Sequence, residues 1–276
     1  MRLPRQEVKS LKRLITLAFC FVLAFSMSAC GSSKPGDEVL SKLVGEAVLS
    51  GNSNAYYEGE CCGEGHKILG CDVSGNRLKV YALTMFGNYG FQNEKFIKIS
   101  GSGVIPAVLT FEKSGTDYKL MEIQYPQDGA EYTKSIKKMF PLKYHFAVLN
   151  CDSALKELQA QERSYAEAYL KSIGREAEIG EFSDLNAVIL TDLGVSVDVS
   201  NKLMADKNLG AYPFWVGTAE YLKDGVRYVR SVSYDENAQQ IIYRTVEKES
   251  GKTVEEFVFD AVTGEKLSDS VNNQTS

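Results

Sequence analysis

The sequence predicts an α+β fold: an N-terminal helix packed on an antiparallel meander, a helical middle, and a second small antiparallel sheet. Three observations lead to this prediction. Apolar residues recur at three- and four-residue spacing after position 37, alternating runs separated by short turns fill residues 55–125, and an Asp-Gly turn joins two alternating runs near position 224. The 276 residues are 44% hydrophobic and 24% charged, which is typical of globular proteins and excludes wholesale disorder.

The first 29 residues have the layout of a signal peptide. A basic head ends at Arg13, an uncharged apolar run extends from Leu14 to Phe25, and small residues follow at Ser28 and Ala29. The stretch from Leu14 to Ala29 is shorter than the ~20 residues that a membrane-spanning helix needs. These features favour an exported protein over one with a permanent transmembrane anchor.

The segment Met27-Ser28-Ala29-Cys30 resembles the lipobox of bacterial lipoproteins, with Met27 in place of the more usual leucine. Residues 30–36 are polar or small and form a flexible tether. The resemblance implies cleavage before Cys30 and transfer of diacylglycerol to its sulfur. Two acyl chains such as palmitate give stable anchoring where a single chain does not. We therefore predict a lipoprotein on the outer face of the cytoplasmic membrane, with residues 31–276 outside the cytoplasm.

An α+β domain with a helical extension is predicted over residues 37–173. Asp37 caps the first helix, and the polar run at 51–54 ends it. Alternating runs then predict strands at 56–61, 66–73, 77–86, 89–91, 96–100, 105–112 and 118–125. A Pro-Gln-Asp-Gly sequence at 126–129 breaks the sheet, and helical periodicity follows at 131–140 and 144–172.

The remainder of the chain divides into three predicted parts. Residues 174–204 read as a polar linker followed by a short helix at 199–204. An antiparallel β-meander module is predicted over 205–268, with strands at 214–222, 226–234, 240–247 and 254–260. The tail at 269–276 is polar and is expected to be frayed.

The charge balance excludes one class of partner. The chain has 31 basic and 36 acidic residues, and the basic signal segment leaves the exported part more acidic still. An acidic surface repels phosphate backbones, so nucleic acid is not a predicted partner.

Four cysteines lie in the exported part beside the predicted lipidated one: Cys61, Cys62, Cys71 and Cys151. Disulfides persist outside the cytoplasm, and the most local bridge would join Cys61 or Cys62 to Cys71. Free buried thiols are the alternative. A zinc site with His66 is disfavoured because adjacent cysteines on a strand point to opposite faces. No metal and no cofactor are predicted.

Catalytic signatures are largely missing from the sequence. Only two histidines exist, with no His-Glu-x-x-His and no Gly-x-Ser-x-Gly elbow. Ser-x-x-Lys tetrads start at Ser135 and Ser153, but the Ser-Asp-Asn and Lys-Thr-Gly companions do not occur. His66 could act as a base with Glu64, since residues two apart on a strand share a face. No catalytic residue is predicted.

The densest aromatic patch contains Tyr212, Phe214 and the only tryptophan, Trp215. Tyrosine and tryptophan are enriched at binding hot spots, so these residues are a candidate partner surface. The alternative, which we favour, is that the patch plugs the position where a strand enters its sheet.

Several segments resemble a known family. They include Glu64-Gly65-His66-Lys67-Ile68-Leu69-Gly70, Ser100-Gly101-Ser102, Pro126-x-Asp128-Gly129, Tyr212-Pro213-Phe214-Trp215-Val216-Gly217 and Ser250-Gly251-Lys252-Thr253. Together they are similar to the extracytoplasmic C-terminal region of antirepressor metallopeptidase-type transducers of low-GC Gram-positive bacteria, relatives of the β-lactam-sensing receptors. The match covers about residues 38–265 and contains no catalytic signature. It implies a fold and a location outside the cytoplasm. The sequence lacks the family's membrane spans and His-Glu-x-x-His helix, so a signalling output is not implied.

The functional prediction is a non-enzymatic, lipid-anchored module that binds an unidentified ligand or extracytoplasmic protein, with the membrane as partner through Cys30. One alternative is a small-molecule carrier with an enclosed apolar pocket between helix 37–50 and the meander. The other is a cell-wall-related hydrolase that uses His66 and a nearby carboxylate.

Overall fold

The structure, a computed structural model, describes residues 34–271. The predicted signal peptide, Cys30 and most of the tether lie outside the described residues, as does 272–276. The predicted α+β class is confirmed, and the described residues belong to one compact unit. No helix within residues 34–271 has the length and apolar character required to cross a membrane. The predicted division of the chain at residues 174–204, between the α+β domain and the β-meander module, stays a prediction.

Helices and strands follow one another in two blocks. The α-helices are α1 (Asp37–Asn52), α2 (Tyr132–Met139), α3 (His145–Leu149), α4 (Leu155–Ser172) and α5 (Val197–Met204). The first block of strands is β1 (Cys61–Ser74), β2 (Arg77–Gln92), β3 (Lys95–Gly101), β4 (Ile105–Ser114), β5 (Asp117–Gln124) and β6 (Ile179–Glu181). The second is β7 (Gly217–Lys223), β8 (Val226–Asp235), β9 (Gln240–Glu247), β10 (Thr253–Asp260) and β11 (Lys266–Val271).

Strand β2 is the centre of the first block. One edge of β2 pairs with β1 along residues 77–89 and with β7 at a single residue, Gln92. Its other edge pairs with β4 along residues 77–84 and with β3 along residues 87–92. All of these pairings are antiparallel, so a single long strand connects the meander to the C-terminal sheet.

Both faces of β2 are covered, which explains its nearly continuous apolar sequence. Leu78, Val80 and Phe86 face α1 and pack with Val44 and Val48 of that helix. The alternate residues face the helical middle, and the core on that side combines strand and helix residues: Tyr81, Leu83, Met85, Ile136, Phe140, Val148 and Leu158. The period of two along β2 therefore distributes its side chains between two cores.

The C-terminal strands β7 to β11, called the C-terminal sheet, join the first block in one 11-stranded sheet among the described residues and have a core of their own. Strands β7 to β11 pair in sequence order. Val199 and Leu203 of α5 pack on Ile241, Tyr243 and other apolar residues of the sheet. The frayed tail predicted at 269–276 is wrong for residues 269–271, because β11 continues to Val271 and pairs with β10.

Several element boundaries differ from the sequence prediction. The expected strand at 56–61 is wrong except for its last residue, because β1 begins at Cys61 and includes the strand expected at 66–73. The strands expected at 77–86 and 89–91 merge into β2. The helix expected at 144–172 is broken by a 3₁₀ turn at Cys151–Ala154. In a continuous helix Ala154 would lie about 240° around the axis from Val148. The break allows both residues to be buried.

The predicted polar linker also contains structure. Its residues 179–181 form β6, which pairs in parallel with β3, and Ile179 packs with Phe91 and Phe96. The polar, glycine-containing sequence does not have the pattern of a strand. Ile179 is the one residue of β6 that is buried in the core.

Candidate functional site

One face of α4 forms a line of hydrogen bonds to β1 and to Glu60 just before it. Four residues spaced four apart lie on this face: Glu157, Gln161, Tyr165 and Tyr169. Their respective partners are Lys67, the backbone N–H of His66, Glu64 and Glu60, at 2.7, 2.9, 3.1 and 2.9 Å. We call these four residues the α4 seam.

Two glycines allow α4 to approach β1 closely. Gly63 and Gly65 lie on the face of β1 opposite to that of Glu64. A Cβ atom on Gly63 would lie 2.6 Å from the carbonyl oxygen of Glu162, and one on Gly65 would overlap the backbone of Leu158. Residues with side chains at these positions would push the helix away and break the α4 seam.

Three polar side chains form a chain of hydrogen bonds between α1 and β1. Ser41 Oγ lies 2.9 Å from His66 Nε2, and His66 Nδ1 lies 2.9 Å from Glu64 Oε2. The Glu64 side chain is 4% exposed and that of His66 is 10% exposed, whereas Ser41 is exposed. Tyr165 donates a second hydrogen bond to Glu64. We call Ser41, His66 and Glu64 the polar triad.

The polar triad has the connectivity of an activated serine. Because the Glu64 carboxylate accepts, Nδ1 of His66 carries a proton, and in the neutral imidazole Nε2 then accepts from the Ser41 hydroxyl. Acyl transfer also needs donors for a developing oxyanion. Asp37 and Glu38 lie four and three residues before Ser41 in the first turn of α1, on the neighbouring helix surface. These carboxylates oppose negative charge there, so the triad also fits a purely structural role as a fastener between α1 and β1.

A buried ion pair lies beneath the α4 seam. Lys98 Nζ is 2.8 Å from Glu162 Oε2, with the two side chains 8% and 1% exposed. Glu162 also accepts from the Tyr89 hydroxyl at 2.9 Å, and Lys98 donates to the carbonyl of Ser102. Burial raises the pKa of Glu162 although Lys98 and Tyr89 oppose that shift. Every group in this network has a partner, which suits a structural role.

A second ionic cluster joins the first block to the C-terminal sheet. Arg227 of β8 bonds to Glu60 at 2.6 Å and to Glu220 of β7 at 3.1 Å. Arg175, after α4, bonds to Glu220 at 2.8 Å and stacks over the Phe91 ring with 3.5 Å between the guanidinium carbon and the ring centroid. Lys248 also bonds to Glu220. Burial alone would raise the pKa of Glu220, but hydrogen bonds from Arg175 and Lys248 hold it below its ordinary value.

A cavity of about 200 Å³ lies at the C-terminal end of α1. Its lining combines polar side chains, among them Asn52, Ser102 and Asp128, with the aromatic rings of Tyr56, Phe86 and Tyr125. Typical ligand pockets measure roughly 300–1,000 Å³, so this cavity suits only a small polar molecule.

The predicted disulfide residues are not brought together by the fold. Cys61, Cys62, Cys71 and Cys151 are all free thiols. The expected local bridge to Cys71 is wrong, because Cys61 and Cys71 lie at opposite ends of β1, roughly 30 Å apart at ~3.3 Å per residue. Cys151 packs in the core on the helical side, apart from the clusters that contain Cys61 and Cys71.

These thiols are also poor nucleophiles. Burial raises the pKa of Cys61 to about 12 and raises those of Cys62, Cys71 and Cys151. Thiolates are the reactive and metal-binding form of cysteine. Within residues 34–271, no group of three or more His, Cys, Asp and Glu side chains is placed to hold a metal ion.

The aromatic patch is mostly internal. Tyr212 and Trp215 are 8% and 6% exposed, so the predicted partner surface is wrong for these two residues. Tyr212 bonds to Thr245 and Glu255, and Trp215 packs with Ile97. Phe214 alone remains exposed. The patch therefore packs where the chain enters β7, as the alternative interpretation states.

Sequence reasoning found Glu64 and His66 but missed Ser41, the α4 seam and the ionic cluster. The four-residue spacing of the α4 seam was the only sequence signal for it. Comparison of the chain with protein-family models, with curated proteins and with solved structures gives no match.

Proposed function

We propose that this chain is a non-enzymatic lipoprotein, anchored through Cys30 to the outer face of the cytoplasmic membrane, whose α+β body binds a small ligand or an extracytoplasmic protein. The observation that carries the proposal is the position of Cys30, directly after an apolar run and small residues and shortly before α1. The cavity beside Asn52 and Tyr125 provides a place for a small polar ligand.

Metabolic labelling in a Gram-positive host tests the anchor. Cells expressing the full chain are fed an alkyne fatty acid, and the labelled protein is detected after membrane fractionation. We expect label on the parent and none on a Cys30→Ser variant, with Cys20→Ser as the matched control that keeps its label. An unlabelled parent, or a Cys30→Ser variant that is labelled like the parent, would contradict the proposal.

The carrier alternative receives little support. An apolar cargo would need an enclosed space between α1 and the meander, but that space is filled by Leu40, Val44, Val48, Leu78 and Val80, all at most 1% exposed. The cavity lies at the end of this core and has a polar lining.

The polar triad favours a second candidate, an acyl hydrolase. In that reaction Ser41 Oγ would attack an ester carbonyl, His66 would take the hydroxyl proton and pass it to the leaving alcohol, and water would release the acid. A fluorophosphonate probe reacts with an activated serine. Our non-enzymatic proposal predicts no labelling of the folded protein. Labelling that disappears in Ser41→Ala but persists in Ser50→Ala would establish the hydrolase instead.

A further inference from the structure

An unpartnered apolar stripe lies on the surface between α2 and α4. Leu142, Phe146 and Leu149 follow the spacing of one helix face, and Val148 between them is buried. Leu142 and Phe146 are 82% and 81% exposed, the highest values among the large apolar residues of the described part. We call Leu142, Phe146 and Leu149 the exposed stripe.

The segment that carries the exposed stripe is basic in an acidic protein. Residues 132–149 contain Lys134, Lys137, Lys138 and Lys143 and no aspartate or glutamate, while the whole chain has a net charge of −5. All four lysines are exposed. Apolar side chains flanked by lysines are the composition that binds the interface of an anionic bilayer.

The stripe lies near the point where the tether reaches the fold. Lys34 is the first described residue and lies three residues before α1. Ser41 bonds to His66 whereas Gly45 lies against Glu64, so the N-terminus of α1 extends toward the Cys71 end of β1. Tyr144 lies against Gly70, the residue before Cys71. The tether and the exposed stripe therefore share one end of β1. Four residues from Cys30 to Lys34 span at most ~14 Å, so an acylated Cys30 would hold this end close to the lipid headgroups.

We infer that the exposed stripe inserts into the interface of an anionic phospholipid membrane, with the surrounding lysines on the headgroups, so that the protein stands on the bilayer in a fixed orientation. This inference rests on the proposed lipid anchor. The surface that contacts the exposed stripe is lipid, because the positive charge of the segment complements an anionic bilayer and its position beside the tether brings it close to one.

Fluorescence quenching in vesicles tests the orientation. The lipidated protein, cleaved before Cys30 and carrying Phe146→Trp, is reconstituted into phosphatidylcholine vesicles containing phosphatidylglycerol, with and without brominated acyl chains. The matched control is Phe214→Trp, an exposed phenylalanine outside the stripe, and the parent with Trp215 alone supplies the background. We expect quenching of at least about twofold for Phe146→Trp, since interfacial side chains reach ~5–10 Å into the bilayer. Phe214→Trp should not be quenched.

The outcomes separate the two proposals. Protein that does not associate with vesicles overturns the anchor and with it the orientation. Protein that is bound while the indole of Phe146→Trp stays open to aqueous acrylamide overturns the orientation alone. If that indole is shielded from acrylamide and not quenched by brominated lipid, a protein partner covers the stripe, and the membrane contact is likewise overturned. Quenching that is unchanged when phosphatidylglycerol is omitted overturns the role of the lysines.

Discussion

At the residue scale, the buried ion pair of Lys98 and Glu162 carries a large desolvation cost. Taking two charges out of water costs several kcal/mol per ion, and their attraction compensates only when the remaining polar atoms are also bonded. Here Tyr89 donates to Glu162 and Lys98 donates to Ser102, so the network is complete. Removing one of the two charges therefore lowers the free energy of unfolding more than removing both.

We predict that Glu162→Gln lowers the free energy of unfolding by roughly 3 kcal/mol, because it leaves the Lys98 ammonium buried without a counter-charge. Urea denaturation followed by circular dichroism measures the change. The matched control is Glu157→Gln, since Glu157 pairs with Lys67 on the surface with both side chains about half exposed. Its cost should stay below about 1 kcal/mol.

A double variant distinguishes the loss of a charge partner from poor packing of glutamine. In Lys98→Met/Glu162→Gln no charge is left buried, and the glutamine oxygen can still accept from Tyr89. We expect this variant to recover most of the lost stability. A double variant less stable than Glu162→Gln would contradict the explanation.

At the element scale, the packing of α4 on β1 depends on glycines that bring two backbones together. Gly63 and Gly65 leave space for the carbonyl groups of Glu162 and Leu158. The seam residues can reach Glu60, Glu64 and the edge N–H of His66 only at this separation. At the open edge of β1 the α4 seam thus supplies an acceptor for one backbone group, the N–H of His66, where no further strand is present among the described residues.

We predict that Gly65→Ala destabilises the protein by about 2–4 kcal/mol, because the added methyl overlaps the Leu158 backbone, which cannot move alone. Thermal unfolding by calorimetry measures the effect. Gly103→Ala is the control, since a Cβ there meets nothing within 4 Å. A Gly65→Ala protein as stable as Gly103→Ala would show that α4 does not depend on this close approach.

The elements differ in how well their sequence predicts them. Helix α1 and strand β9 were predicted within a few residues, because their periodicity and flanking turns agree with their packing. The break before α4 was missed, since it arises from the need to bury both Val148 and Ala154 against the sheet. Strand β6 was missed because its pairing partner, β3, lies some 80 residues earlier in the chain.

The candidate site was likewise predicted only where its residues are close together in the sequence. Glu64 and His66 are two residues apart on one strand, so their shared face followed from the period of two. Ser41 is 25 residues away on α1, and the polar triad forms only because α1 packs on β1. The ionic cluster unites Glu60, Arg175, Glu220 and Arg227 from four places in the chain, a long-range arrangement that no local pattern specifies.

At the scale of the whole molecule, the strand pairing that links the first block to the C-terminal sheet is short. Strand β2 meets β7 at one residue pair, Gln92 and Ala219, and Asn93 accepts from the backbone N–H of Thr218 at 2.7 Å. The ionic cluster around Glu220 lies at this junction. Its carboxylate receives bonds from Arg175, Arg227 and Lys248, and its side chain is only 5% exposed. Of these bonds, the one from Arg175 crosses the junction, so Glu220 links the C-terminal strands to the segment after α4.

The lowered pKa of Glu220 makes this connection sensitive to acid. A carboxyl group whose pKa is depressed in the folded state adds stability above its unfolded pKa, near 4.5, and that stability is lost as the pH falls through the folded pKa. We predict that Glu220→Gln lowers the free energy of unfolding by about 1–3 kcal/mol at pH 7, and that the difference from the parent shrinks steadily below about pH 4.5. Urea denaturation at a series of pH values measures both quantities. Glu167→Gln, which removes an exposed pair with Arg163, should differ little from the parent at any pH.

Because the lost bonds lie at the junction, Glu220→Gln should also separate the unfolding of the C-terminal sheet from that of the first block, seen as two calorimetric transitions in place of one. A difference between Glu220→Gln and the parent that grows as the pH falls would show that the carboxylate does not stabilise the junction.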